Sequence, residues 1–155
     1  MNVRAETPAE RVGPILGVGG VLFDGGRVLL VKRGAHPAKG YWSIPGGKLA
    51  AGETLAEGVE REMLEETGLR VRARALVEVY ERLPGPGAGR AADHYVVLDY
   101  LCEAKGGLLR AGDDAAAVGW FALKELDALH LTPGAAPVIE KAFRMTGGIS
   151  GGQDL

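Results

Sequence analysis

Between Gly47 and Leu69 the chain reads GKLAAGETLAEGVEREMLEETGL, with acids at Glu53, Glu62, Glu65 and Glu66 and an arginine at Arg61. Residues three and four apart share a face of a helix, so Glu62, Glu65 and Glu66 would converge on one spot. Carboxylates gathered this closely repel one another unless something positive lies between them, and hard oxygen donors favour Mg²⁺ or Mn²⁺. At about 100° per residue, Leu55, Val59 and Met63 fall near 0°, 40° and 80°, Glu62 and Glu66 near 340° and 20°, and Glu65 near 280°. Acids inside the apolar sector of an amphipathic helix are costly without compensation. A solvated acidic face would lie opposite the apolar stripe, so metal holding is the preferred reading over surface salt bridges. Arg61 points away from the three acids on the same wheel.

The segment resembles the motif of the Nudix hydrolases at every fixed position. These are Gly47, five residues, Glu53, seven residues, Arg61-Glu62, the aliphatic Met63, any residue, Glu65-Glu66, any residue, Gly68 and the aliphatic Leu69. The resemblance implies a pyrophosphohydrolase dependent on Mg²⁺, with Mn²⁺ as the other candidate. Such a reaction requires a positioned water and neutralisation of charge on the bridging and leaving oxygens. By resemblance, Glu62, Glu65 and Glu66 are metal ligands, and Glu62 or Glu66 is also a candidate base. Arg61 pairs with the first glutamate, Glu53, and orients the loop between them. Gly46 and Gly47 let backbone approach metal or phosphate, and a carbonyl at Gly47 would complete the metal shell. A late acidic ligand or base, commonly glutamate in the family, corresponds here to Asp114 in the Asp113-Asp114 pair.

Outside this segment the signals are weaker. Lys32 and Arg33 stand at a strand end, where one of them could face a cleft and hold phosphate. Trp42 could stack on a base, although core packing is the commoner fate of an aromatic beside Pro45-Gly46-Gly47. His36 and His94 have no partner spacing. Pro84 lies fifteen residues beyond Leu69 with Pro86 close behind, and WFALKEL includes Trp120. Both features resemble the branch of the family that cleaves ADP-ribose. The substrate implied is therefore a nucleoside diphosphate linked to a second moiety, ADP-ribose or a related nucleotide sugar. A hydrolase of oxidised nucleoside triphosphates is the alternative, and a non-catalytic nucleotide sensor the third reading.

The elements that must position these residues follow from local pattern. Pro14–Phe23 and Arg27–Lys32 flank Asp24-Gly25-Gly26 and read as a hairpin. Thr54 with Glu57 makes a capping box for a helix over Leu55–Thr67, which Gly68 ends. Strands are expected over Val71–Arg82, His94–Glu103 and Val118–Leu123, with a loop at 105–117. A second helix is expected over Pro133–Met145, capped by Thr132. The fold class is α/β. The resemblance supplies the Nudix fold itself: an α/β/α sandwich with a mixed central sheet and the motif as a loop–helix–loop.

The chain has 155 residues, 46% apolar and 25% charged, with net charge −2. That suits one domain, expected over 11–146, between a flexible arm at 1–10 and a disordered tail at 147–155. The near-neutral charge gives no reason to expect nucleic-acid partners. No run approaches the ~18 apolar residues of a membrane span, and no basic-then-apolar leader opens the sequence, so a cytoplasmic protein without membrane partners is expected. The single Cys102 lies in an apolar run and reads as a buried, inert thiol. The resemblance leaves open a homodimer.

Overall fold

Apolar runs punctuated by glycine become strands. The described residues, 13–36, 38–84 and 94–147 of a computed structural model, form two four-stranded sheets and two α-helices, with a short 3-10 helix over Leu123–Ala128. In chain order these are β1 (Ile15–Val21), β2 (Phe23–Asp24), β3 (Arg27–Arg33), β4 (Trp42–Ser43), β5 (Gly46–Lys48), α1 (Leu55–Thr67), β6 (Leu69–Arg82), β7 (Tyr95–Gly107), β8 (Ala115–Ala122) and α2 (Ala135–Gly147). The expected arm, Pro86 and positions 148–155 of the expected tail fall outside the described residues, and Gly147 closes α2.

The first sheet runs β5-β1-β7-β6 and is mixed: β1 and β7 are parallel, and the other pairings are antiparallel. The second is antiparallel throughout, with β8 on one edge of β3 and with β2 and β4 sharing the other. The expected hairpin is therefore shorter than its sequence suggested. Only β2 pairs with β3, Phe23 facing Val28 and Asp24 facing Arg27. Leu22 makes the last rung, accepting from Leu29 N–H at 2.9 Å, and β1 departs into the other sheet. One apolar run thus serves two sheets, which periodicity within the run does not encode.

Helix α1 has the bounds its signals predict. Thr54 Oγ1 accepts from Glu57 N–H at 3.1 Å, Glu57 Oε1 accepts from Thr54 N–H at 3.2 Å, and Gly68 takes φ 77°. The left-handed value is open to glycine without the penalty a Cβ brings. The second helix departs from expectation. Gly134 has φ 86°, which breaks the helical path, so α2 begins at Ala135 and Thr132 closes the preceding turn instead of capping. The loop expected at 105–117 is also shorter, because β7 extends to Gly107 opposite Leu69 and β8 begins at Ala115.

Two apolar clusters lie on opposite sides of the strands. Val59 and Met63 of α1 pack with Val18, Leu22, Leu29, Val71 and Cys102. Val138, Ile139 and Ala142 of α2 pack with Val21, Val28, Leu30, Val77 and Leu101. Alternation along each strand feeds the two clusters, Leu101 to one and Cys102 to the other. Burial pushes the Cys102 thiol up to about 12, so it stays a packed, neutral group. Among the described residues no helix is long and apolar enough to cross a membrane.

Because both capping-box bonds are formed, Thr54→Ala should lower stability by about 1 kcal/mol, read from the urea midpoint at unchanged m-value. A shift below about 0.3 kcal/mol would mean that the first turn of α1 is held by packing alone.

Candidate active site

The turn from β5 into α1 is held by one guanidinium. Arg61 Nη2 and Nε donate to Glu53 Oε1 and Oε2 at 2.7 and 3.0 Å, and Nη2 also donates to the Lys48 carbonyl at 3.1 Å. Ala50 N–H donates to Glu53 Oε1 at 2.7 Å. This paired geometry is the strong form of a carboxylate–guanidinium contact. Arg61, first, and the Ala50 amide hold the Glu53 carboxyl down at about 2. The Arg61–Glu53 pair expected from the resemblance is thus present. The expectation that Arg61 turns away from the other acids is corrected: Nη1 donates to Glu62 Oε1 at 2.9 Å and to Glu65 Oε2 at 3.2 Å. A long side chain with five N–H donors reaches further than its Cβ direction on a wheel implies.

Glu62 and Glu66 turn from α1 toward β5. A Cβ built on Gly47 would lie 2.5 Å from the Glu62 carboxyl carbon, so glycine is what lets carboxylate and strand meet. Gly46 N–H donates to Glu66 Oε2 at 3.3 Å. The ladder rungs Leu49 N–H to Leu16 O and Gly20 N–H to Pro45 O fix which peptide groups of β5 face β1. By antiparallel alternation Gly47 is a hydrogen-bonded position facing Val18, and Gly46 directs its N–H and C=O the other way. The candidate backbone ligand therefore moves from Gly47 to Gly46. Burial, opposed by the Gly46 amide, raises the Glu66 carboxyl to about 7. Burial likewise raises Glu62, against the pull of Arg61.

The segment after β7 docks on the end of α1. Arg110 N–H donates to Thr67 O and Gly112 N–H to Glu66 O, both at 2.9 Å. Asp114 is thereby brought beside Glu66, and Glu62, Glu65, Glu66, Asp113 and Asp114 border one depression. Among the described residues no three His, Cys, Asp or Glu side chains converge closely enough to make a ready metal cluster. Three-fold convergence of the box acids is thus not what the side chains adopt: Glu65 is 57% exposed and turned to Arg61, the cation that stands among them. The donor set still fits Mg²⁺ or Mn²⁺, since it is oxygen only and anionic and has a backbone carbonyl at its edge.

This depression adjoins a larger cleft of about 610 Å³, a size that suits a nucleotide-sized ligand. Lys32, Arg33, His36, Gly46, Glu62, Glu66 and Asp114 all border it, and Asp113 borders only the smaller depression. Lys32 and Arg33 both border the cleft at the end of β3, where β8 carries the extra residue Ala116 of a register shift. Trp42 does not line it and stands edge-on to Phe121 with ring centroids 4.8 Å apart, the packing role over the stacking role. His94 lies off the cleft, paired with Glu81 at 2.8 Å.

The far half of the cleft was not found from sequence. Tyr80, Arg82, Tyr95, Val97, Asp99 and the turn Thr132–Ala135 line it. Asp99 had a signal, a single acid within the apolar strand YVVLDYLC, which is costly to bury without a reason. It is 5% exposed, and burial, with Glu78 adding to it, raises its carboxyl to about 6. The aromatic and turn residues carry no such signal; assembly of three separate segments, β6, β7 and the turn before α2, puts them together.

The NUDIX domain family model matches residues 13–142. The ADP-ribose pyrophosphatase of Methanocaldococcus jannaschii is 36% identical over 116 residues, 75% of this chain and 66% of that protein. An 8-oxo-dGDP phosphatase of Homo sapiens is 30% identical over 132 residues, 78% of this chain but only 38% of its own length. The crystal structure of a MutT NUDIX hydrolase from Burkholderia pseudomallei superimposes with TM-score 0.75 at 32% identity, covering 84% of this chain and 98% of that one.

Two outcomes follow from this geometry. Arg61→Ala should lower kcat while disturbing apparent Mg²⁺ affinity less than Glu66→Gln does, and Arg61→Lys should not rescue it, because an ammonium cannot reproduce the fork. Equal loss of metal affinity in Arg61→Ala and Glu66→Gln would give Arg61 a direct role at the ion. Asp99 governs a pH effect. Folding raises its pKa, so its contribution is fully present below the unfolded value and is lost as pH rises through about 6. Metal-free protein should therefore lose stability between pH 4 and 7, and Asp99→Asn should remove on the order of 1–3 kcal/mol of that slope, measured by urea unfolding. A slope identical in both proteins contradicts the burial account.

Proposed function

The chain belongs to the Nudix family, and from that membership and its cleft we propose that it is an Mg²⁺-dependent pyrophosphohydrolase cleaving a nucleoside diphosphate linked to a second moiety. The favoured substrate is ADP-ribose or a related nucleotide sugar, split to a nucleoside monophosphate and a phosphoryl product. One observation carries the reading: Glu62 and Glu66 meet the Gly46-Gly47 strand beside Lys32 and Arg33, at one end of a cleft of nucleotide size.

Glu62, Glu66 and the Gly46 carbonyl would hold the ion on the cleft side, with Glu65 and Asp114 on the other side of the depression. Bound Mg²⁺ would supply charge neutralisation on the anhydride oxygens and lower the pKa of a coordinated water. Lys32 and Arg33 hold the polyphosphate by charge. Arg61 keeps Glu53 and Glu62 in place and so positions the ligands without touching substrate. Asp114, on a segment hydrogen-bonded to the last turn of α1, is positioned to orient the attacking water or accept its proton, as are Glu62 and Glu66.

The archaeal relative named an ADP-ribose pyrophosphatase and the position of Pro84 support the first substrate class. The human relative named an 8-oxo-dGDP phosphatase supports the second, an oxidised nucleotide hydrolysed at its phosphate chain. A nucleotide panel with Mg²⁺ separates them by product. AMP with ribose 5-phosphate is expected; nucleoside monophosphate with inorganic phosphate or pyrophosphate points to the second class, and no product from any nucleotide leaves only a binding role. Glu66→Gln and Glu62→Gln should each cut kcat by about 10²-fold or more in folded protein, and a rate within about threefold of wild type removes the assignment. Asp114→Asn should lose a comparable factor, Asp114→Glu should keep part of the activity, and Asp113→Asn should change little. Near wild-type turnover by Asp114→Asn across the pH range leaves the base among the glutamates of α1.

A further inference from the structure

Asp99 is a carboxylate that the hydrolytic machinery does not use. Along β7, Tyr95, Val97, Asp99 and Leu101 point to the same side of the sheet. Leu101 enters the core beneath α2, and Tyr95 and Val97 line the cleft, so Asp99 stands at the boundary between core and cleft floor. Among the described residues it makes no hydrogen bond or ion pair, and no fully enclosed side-chain oxygen or nitrogen lacks a partner. Its oxygens therefore reach the cleft. A carboxylate kept in such a place without a donor is costly, and the cost is offset when a ligand supplies one.

The surroundings select the kind of donor. Gly19 lies between Asp99 and Gly46 in the sheet, which puts Asp99 two strand spacings, roughly 10 Å, from the candidate metal ligand. A Cβ on Gly19 would collide with Asp99 Oδ1, so that glycine leaves room for the carboxylate. Tyr80, Val97 and Ala135 in the same half of the cleft offer flat and apolar surface, which suits a base better than a sugar, and the Arg82 guanidinium lies on the Tyr95 ring beside them. Charge favours one direction: Asp99 repels phosphate at this end, where the cation Arg82 lies over the Tyr95 ring at 4.7 Å, and Lys32 and Arg33 attract phosphate beside Glu62 and Glu66.

We infer that Asp99 is the specificity-determining residue for the nucleobase, its carboxylate accepting from an exocyclic amino group while the anhydride lies at Glu62 and Glu66. The inference rests on the nucleotide-hydrolase reading. Asp99 touches the base and takes no part in bond breaking, so its effect falls on KM and on discrimination. A site built to meet a donor discriminates strongly against the analogue lacking it, because the buried acceptor is then left unpaired.

The test uses matched substrates that differ by one amino group: adenine against unsubstituted purine, and guanine against hypoxanthine, each as the nucleoside diphosphate linked to ribose. Wild-type protein should prefer the amino-bearing base of at least one pair by roughly tenfold or more in kcat/KM. Asp99→Leu removes the acceptor and keeps the branching at Cγ, with two methyl groups in place of the oxygens. It should bring that ratio to within about twofold, raising KM for the amino-bearing substrate and leaving kcat within about threefold. Asp99→Asn, which keeps one acceptor and is nearly isosteric, should lie between the two and carries the same test should the leucine variant not fold. A preference ratio unchanged in folded Asp99→Leu, or unchanged in Asp99→Asn if only that variant folds, overturns the inference. So does a KM penalty in the variants that vanishes on 2′-deoxy substrates, which would place the ribose hydroxyl at Asp99. Wild-type protein that hydrolyses no nucleotide in the panel removes the hydrolase reading and the inference with it. Turnover with an unchanged ratio removes the inference alone.

Discussion

Two carboxylates of α1 sit at the margin of an apolar core, and the rest of the site is arranged around that fact. Glu62 is 13% exposed at its side chain and burial raises the Glu66 carboxyl to about 7, so each must be matched by donors or remain neutral. Arg61 meets Glu62 and ties it to Glu53 and Glu65; the Gly46 amide meets Glu66. Those two contacts bind the helix to β5 and to the loop between them, so the acids and the strand are positioned as one unit. The absence of a side chain on Gly47 is the steric condition for it.

Precise placement of the unit depends on packing further in. Val59 and Met63 anchor α1 on Val18, Leu29 and Cys102, and Gly20 in β1 lets Met63 settle against the strand, since a Cβ there would stand 2.7 Å from its sulfur. The interior is close-packed, so small changes of volume at this interface would move the acids relative to β5. The segment carrying Asp114 is joined to the same helix through Thr67 and Glu66 carbonyls. Three chain segments thus reach the site through one helix. The candidate site is concentrated in positions that a single element controls, which is the arrangement a rigid scaffold provides.

The cleft beyond that helix is built differently. It lies over the face of the mixed sheet turned away from α1, floored by β7 and β1 and closed by β3, β4 and the turn before α2. Gly134 brings that turn into contact with Tyr80, and the end of β3 brings both Lys32 and Arg33 to the opposite wall. A site assembled from distant segments varies independently of the helix that carries the acids, which agrees with shared chemistry and divergent substrates among relatives.

Local chemistry decided much from sequence alone. The capping box and Gly68 fixed both ends of α1, because caps are interactions over three or four residues. The Glu53–Arg61 relation was legible because the motif spacing implied it. Five features required the tertiary structure. The run Pro14–Phe23 divides between two sheets, α2 starts after a left-handed Gly134, and Arg61 reaches Glu62 and Glu65. Gly46, not Gly47, turns its carbonyl outward, and Asp99 closes the floor of the cleft. Each is set by strand pairing, register or contacts between residues far apart in the chain, and periodicity within one segment carries no information about which partner that segment meets.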